Sequence, residues 1–238
     1  TMSEEQHEKK SNEILKNLNA YQLDERVESM RLSRQALPVS QHAGDILVKI
    51  ERNPVTICMA STGSGKTTQV PQLLLDDFVL RKQGSRCNSN CTQPRRIAAM
   101  SVAERISKER GEAVGDTVGY QVRFQSQLPK AHGSILFCTT GVLLKRLQTA
   151  LEDISGDSFL DNVSHILMDE VHERDIETDL FLAVIRRVLQ ERKRRGCPEI
   201  KLVLMSATVD PKLFKDYFEE SSLTTRPVPV VFISGRSF

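Results

Sequence analysis

The stretch from Val55 to Thr68 constrains the fold more tightly than any other. An apolar, β-branched run, Val55-Thr56-Ile57-Cys58-Met59, gives way to Ala60-Ser61-Thr62-Gly63-Ser64-Gly65-Lys66-Thr67-Thr68, and a helical pattern over Lys66–Leu80 follows at once. A strand that turns through small residues directly into a helix lets successive backbone N–H groups converge on one point, where the helix dipole adds positive potential. That geometry suits phosphate oxygens. Thr62, Gly63, Ser64, Gly65, Lys66, Thr67 and Thr68 are therefore the expected phosphate cradle. Lys66 would supply a mobile charge for the outer phosphates of ATP or another nucleoside triphosphate, and the Thr67 hydroxyl a ligand for Mg²⁺. Ala60 stands where the strict pattern has glycine, which leaves Gly63 and Gly65 to provide the backbone freedom.

The rest of the chain repeats the same alternation. Strand patterns fall at Val55–Ala60, Cys87–Thr92, Gly119–Phe124, Ser134–Thr139, His165–Asp169, Lys201–Ser206 and Val228–Ile233. Helical windows lie at Lys66–Leu80, Arg95–Arg110, Gly141–Leu151, Glu177–Arg194 and Pro211–Phe218. Strands alternating with crossover-length helices predict an α/β fold, a mainly parallel sheet covered on both faces. Near-continuous apolar runs such as Leu202-Val203-Leu204-Met205 fit central strands. Gln83–Arg86, Gln127–Gly133 and Glu152–Asp161 read as loops. Ahead of this lies a polar segment, residues 3 to about 31, with an apolar stripe of Ile14, Leu15, Leu18, Tyr21 and Val27 that predicts one exposed helix. Pro38 then opens a second helix carrying Ile46, Leu47 and Ile50. Residues 1–37 are thus expected to form a helical extension and residues 38–238 the α/β domain.

A second chemical element ends the run Ile166-Leu167-Met168: Asp169-Glu170-Val171-His172-Glu173-Arg174. Ligands of open α/β sheets bind beyond the carboxyl ends of the strands, which is where this acid pair would sit. Asp169 would hold a hydrated Mg²⁺, while Glu170 would orient and deprotonate an attacking water. Thr67, Asp169 and Glu170 are the expected metal set. A third element, Ser206-Ala207-Thr208, ends another apolar strand with hydroxyls short enough to reach His172 or the acids.

With these elements in view the chain resembles the DEAH/RHA family of superfamily-two helicases, nearest to the subgroup of RNA helicase A and the G-quadruplex-resolving helicases. Asp169-Glu170-Val171-His172 is similar to the family's DEAH box in its D-E-[IV]-H form. Thr92-Gln93-Pro94-Arg95-Arg96 with Ser101-Val102-Ala103-Glu104-Arg105 resembles the next motif, and Gly119-Tyr120-Gln121-Val122-Arg123-Phe124 and Thr139-Thr140-Gly141-Val142-Leu143-Leu144 resemble two more. The likeness runs from residue 54 to about 236 and implies the first RecA-like P-loop NTPase domain of an ATP-dependent RNA helicase. It implies that Arg105 stacks on the adenine face. It places Arg95, Arg96, Arg123, Thr140 and Gly141 along single-stranded RNA, touching phosphates and sugars rather than base edges. His172 and Ser206, Ala207 and Thr208 would couple nucleotide state to strand grip. DNA or a G-quadruplex is the alternative substrate, and a nucleotide-gated RNA clamp the alternative activity. The family's second RecA-like domain, with its arginine fingers, is not in residues 1–238, so these residues alone are expected to bind nucleotide weakly, hydrolyse it barely and unwind nothing.

Composition bounds the remainder. A formal net charge of +2 does not by itself announce a nucleic-acid binder. Arg95 and Arg96, however, open a helix, an awkward place for two cations unless an anion joins them. The basic run Arg192-Lys193-Arg194-Arg195 closes a helix before Gly196, where cations offset the dipole, and is expected to be a solvated terminus. The five cysteines are odd in number and scattered, as expected of buried free thiols in an intracellular protein, cytoplasmic or nuclear with mitochondria open. No membrane span is expected, and a monomer is. Ser89-Asn90 is the one discord, two polar residues in an otherwise central strand; either that strand is partly exposed or the asparagine has a partner.

Overall fold

A computed structural model describes residues 2–152, 159–207, 210–221 and 223–234. Its centre is an eight-stranded sheet. The strands are β1 (Val55–Ala60), β2 (Asn88–Gln93), β3 (Val118–Val122), β4 (Gln125–Gln127), β5 (Ser134–Thr139), β6 (His165–Met168), β7 (Lys201–Ser206) and β8 (Val230–Ile233). They lie in the order β4-β3-β5-β2-β6-β7-β1-β8. All neighbours run parallel except β4, which folds back antiparallel on β3. The parallel α/β fold expected from the alternating pattern is therefore the fold observed.

Side-chain alternation along each strand builds two cores. Cys58 and Ala60 of β1, Leu167 of β6 and Val203 and Met205 of β7 face one side. There they meet α4 (Ala43–Arg52), α5 (Lys66–Leu80) and α6 (Arg96–Glu109). Val55 and Ile57, Ile166 and Met168, and Leu202 and Leu204 face the other, against α7 (Thr140–Glu152), α8 (Ile176–Arg194) and α9 (Lys212–Glu219). Because both faces are covered, β6 and β7 carry the unbroken apolar runs Ile166–Met168 and Leu202–Met205.

The N-terminal segment differs from its expected form. The single helix is two, α1 (Glu4–Leu23) and α2 (Glu28–Gln35), separated by a 3-10 turn at Glu25–Val27. Asp24 causes the break, because its carboxylate accepts the Arg26 N–H and so competes with continued helix. The helix opened by Pro38 is likewise divided into α3 (Pro38–Gln41) and α4. The apolar stripe does pack: Leu18 and Val27 are buried, with Ile14, Leu15 and Tyr21 against the first core.

Four further expectations meet corrections. The edge strand β4 lies between the expected strand that ends at Phe124 and the expected loop that starts at Gln127, and its three residues are all exposed, so no burial pattern marked it. The Gln83–Arg86 loop contains a 3-10 turn, Gly84–Arg86. Arg192 is buried rather than solvated, its guanidinium 2.8 Å from Asp161 Oδ1, while Arg194 and Arg195 pair with Glu191 one turn back. Ser89 and Asn90 are both buried in β2, and Ser89 Oγ and Asn90 Nδ2 have no hydrogen-bond partner among the described residues, a cost of about 1–3 kcal/mol each. Neither escape, an exposed strand or a partner for the asparagine amide, is the one taken. Four of the cysteines are buried, and all five are free thiols. Among the described residues no helix is long and apolar enough to cross a membrane.

Candidate nucleotide and nucleic-acid site

The order of the strands brings the three chemical elements together. β6, β7 and β1 are consecutive across the sheet, so the acid pair, Ser206 and the phosphate loop leave three adjacent strand tips on one rim. Lys66, the first residue of α5, is buried, and its ammonium lies 2.9 Å from Glu170 Oε1 and 3.8 Å from Asp169 Oδ1. Thr67 donates its hydroxyl proton to Asp169 Oδ2. Beyond Glu170 the chain of polar contacts continues, with His172 Nε2 3.2 Å from Glu170 Oε2 and His172 Nδ1 3.3 Å from Ser206 Oγ. Lysine, glutamate, histidine and serine from three separate segments thus form one line across the rim. Ala207 is half-buried beside it; Thr208 lies outside the described residues.

The backbone explains why these residue types occur here. Gly63 and Gly65 have φ of +77° and +90°, a region that favours glycine. At Gly65 a Cβ would also lie 2.9 Å from Leu37 Cδ1. Ser61 Oγ and Ser64 Oγ in the loop are buried and have no hydrogen-bond partner among the described residues. Two orphaned hydroxyls beside a buried lysine form an environment that a polyphosphate would satisfy. Thr62 and Gly63 are exposed at the tip, whereas the Thr68 hydroxyl turns back toward Gly65 O (3.4 Å) and accepts from Gln69 Nε2. Glu170 adopts φ +54° and Arg174 φ +34°, unusual for non-glycine residues. They bracket the 3-10 turn Val171–Glu173, which carries His172 back over the acids.

Burial pushes the Asp169 carboxyl pKa up, against Lys66, Thr67 and Gln93, which all favour the ionised form. Nothing in the sequence distinguishes Gln93 within its motif, yet its Nε2 donates to Asp169 Oδ2 over 2.9 Å. With the Thr67 and Gln93 contacts, Asp169 is held from two strand tips. The donor set of Thr67, Asp169 and Glu170 fits a hard cation, which prefers oxygen ligands and completes its shell with phosphate and water. Among the described residues no cluster of three or more His, Cys, Asp or Glu side chains could hold a metal without such outside ligands.

The cations expected along a nucleic acid occupy the same rim, displaced toward the other edge. Arg95 and Arg96 follow β2 and are exposed, and the nearest carboxylate to Arg95 is Glu173, at 4.0 Å. Arg123 is exposed at the two-residue turn between β3 and β4, its guanidinium 4.8 Å from the Phe124 ring centroid. Thr140 begins α7 but is buried, so it offers little side-chain surface. At Gly141 a Cβ would meet the Glu177 carboxylate at 3.2 Å. Arg105 lies apart from this group, on α6, with its Nε 3.1 Å from Glu109 Oε1 and most of its side chain exposed. Glu109 carried no signal in the sequence, although four donors surround it.

Comparison with known proteins supplies the last observation. The family model for the DEAD/DEAH box helicase matches residues 34–216. The chain is 40% identical over 228 residues to the ATP-dependent DNA/RNA helicase DHX36 of Bos taurus, covering 95% of this chain and 21% of that protein. It is 48% identical over 182 residues to the ATP-dependent RNA helicase DHX30 of Gallus gallus, covering 76% and 14%. It is 43% identical over 225 residues to the putative ATP-dependent RNA helicase DHX57 of Homo sapiens, covering 94% and 15%. The chain therefore spans about a fifth or less of the length of these relatives.

Proposed function

Since the chain belongs to the DEAD/DEAH box helicase family, we propose that it is the ATP-binding half of an RNA helicase, coupling Mg-ATP hydrolysis to movement along RNA or its remodelling. The observation that carries this reading is the line Lys66–Glu170–His172–Ser206 across adjacent strand tips. Lys66 would exchange Glu170 for the outer phosphate oxygens, freeing that carboxylate to accept a proton from the attacking water. His172 would hold the second Glu170 oxygen in place. Mg²⁺ bound by Thr67 and Asp169 would neutralise charge developing on the phosphates. Because His172 also touches Ser206, a change at Glu170 would be felt at the tip of β7.

RNA would lie across the tips of β2, β5 and β3, held by Arg95, Arg96 and Arg123 through its phosphates, with sequence-independent, salt-sensitive affinity. Residues 38–238 would act as the first RecA-like domain. DNA is the second reading, favoured by the relative named as a DNA/RNA helicase; stimulation by RNA against DNA homopolymers separates the two.

The test is Glu170→Gln, which keeps the size and polarity of the side chain but cannot take a proton. ATP binding should persist, while turnover measured with enzyme in excess falls by about a thousandfold, within the range such a base supplies. Unchanged hydrolysis would remove Glu170 from its role.

A further inference from the structure

The basic run that ends α8 borders a hollow at the rim opposite the phosphate loop. Pro54 and Ile200, which line it, immediately precede β1 and β7. It therefore opens at the amino ends of those strands, one six-residue strand length, about 20 Å, from the tips that carry the nucleotide chemistry. The hollow encloses about 500 Å³, in the range of binding sites. Leu189, Ile200 and Leu223 are buried and give it an apolar base, with the half-buried Cys197 beside them.

Around that base the charge is positive. Arg52, Lys193 and Arg226 are exposed and line the hollow. Lys193 donates to Leu223 O over 3.3 Å, which ties its ammonium to the apolar wall. Neither Arg52 nor Arg226 makes an ion pair among the described residues. Arg192 lines the hollow too, with its side chain 10% exposed and its Nε without a hydrogen-bond partner among the described residues. The nearby acids are already engaged, Asp161 with Arg192, Glu191 with Arg194 and Arg195, and Glu199 with Lys201. Carboxylates that complete this rim must come from another chain. Single-stranded nucleic acid suits it less, because such strands stack their bases on aromatic rings and none is among the described residues lining the hollow. A phosphate backbone would also leave the apolar base uncovered.

We infer that this hollow docks an acidic peptide segment of a separate protein. Carboxylates of the segment meet Arg52, Lys193 and Arg226, and one large apolar side chain enters between Leu189, Ile200 and Leu223. Complementary charge orients the segment, and burial of the apolar side chain holds it. The inference stands independently of the nucleotide reading, because the two rims share no residue.

The experiment titrates residues 1–238 into a peptide of aspartates and glutamates around one central phenylalanine, labelled with a neutral dye and followed by anisotropy. Half-saturation should fall below about 1 mM and move to higher concentration as salt is added. Arg52 and Arg226 are exposed, so Arg52→Glu combined with Arg226→Glu should leave the thermal midpoint and Mg-ATP affinity unchanged. The same pair of substitutions should weaken the peptide about tenfold or more. Serine in place of the peptide's phenylalanine should cost about tenfold by itself. Cys197 marks the place, because bound peptide should slow its alkylation. Should the paired variant lower the midpoint, Thr225→Trp, which fills the hollow from an exposed position, decides instead. Equal affinity in the variant would overturn the inference, as would a Cys197 rate that the peptide leaves unchanged or no binding at about 1 mM. If a uridine homopolymer RNA loses affinity in the variant and the peptide does not, the surface belongs to nucleic acid and the peptide reading falls.

Discussion

Lys66 Nζ and Glu170 Oε1 are 2.9 Å apart although 104 positions separate the two residues in the chain. The sheet order makes this contact. β7 enters between β6 and β1, so the acid pair and the phosphate loop flank the strand that ends in Ser206. A polar line crossing three strand tips is a consequence of topology, and each of its members can be tested separately.

Gln93 holds Asp169 by a single 2.9 Å hydrogen bond from the neighbouring strand tip. Gln93→Leu removes that donor, and burial then raises the Asp169 pKa further. Outer-shell substitutions of this kind cost about tenfold to a hundredfold in metal affinity. The Mg²⁺ concentration that half-saturates ATP turnover should rise accordingly. An unchanged Mg²⁺ dependence would show that Asp169 does not need Gln93.

The thiols give a chemical readout of the core. Burial pushes the pKa of Cys58, Cys87 and Cys138 up to about 12 and that of Cys91 well above its usual value. Thiolate is the reactive form, so in the native chain only the half-buried Cys197 should react promptly with an alkylating reagent. All five should react in denaturant. Prompt native labelling of Cys58 or Cys91 would contradict the packing of the sheet.

His165 predicts how the fold fails in acid. It is buried beside Phe78 and hydrogen-bonded to Ser164, and burial, helped by Lys201 and Arg81, pushes its pKa down to about 3. The unfolded chain binds this proton below about pH 6.5 while the folded chain refuses it, so stability is full above that pH and falls as pH drops toward 3. The loss from this residue should reach about 3 kcal/mol near pH 4. Urea melts of His165→Gln should show a shallower decline between pH 6 and 4. Parallel declines in the two proteins would exclude the histidine as the cause.

Gly119 is needed for close approach rather than for an unusual φ. A Cβ there would lie 2.3 Å from Gln127 O and 2.5 Å from Pro129 N, both of them backbone atoms. Gly119→Ala should therefore cost about 1–3 kcal/mol as overpacking, read as a lower thermal midpoint. A midpoint equal to that of the unsubstituted chain would contradict the placement of the β3–β4 hairpin.

How much of this was legible depends on whether a feature is local. β1, β5, β7 and α5 fall within their expected bounds because their patterning is continuous and their ends are marked by Lys66, Ser134 or Ser206. The convergence of Lys66, Asp169 and Ser206 was foreseeable because ligands gather at the tips of parallel strands. The exposed strand β4 was not, since Gln125-Ser126-Gln127 pairs only through its backbone. Nor was the Glu109 network, whose partners Arg34, Gln69, Gln72 and Arg105 come from three helices; a lone acid near the end of an amphipathic helix looks the same whether it is solvated or central. The burial of Arg192 was hidden likewise, because its partner Asp161 sits across a connection from another element.

The central claim is that the tips of β1, β6 and β7 form one triphosphate site anchored by Lys66, and its most direct measurement is the affinity of residues 1–238 for Mg-ATP with and without Lys66→Ala. Losing a charged donor to the phosphates should weaken binding about tenfold to a hundredfold, and the thermal midpoint of the free protein should fall, because Asp169 and Glu170 lose the cation that pairs with them. Equal affinities in the two proteins would contradict the account.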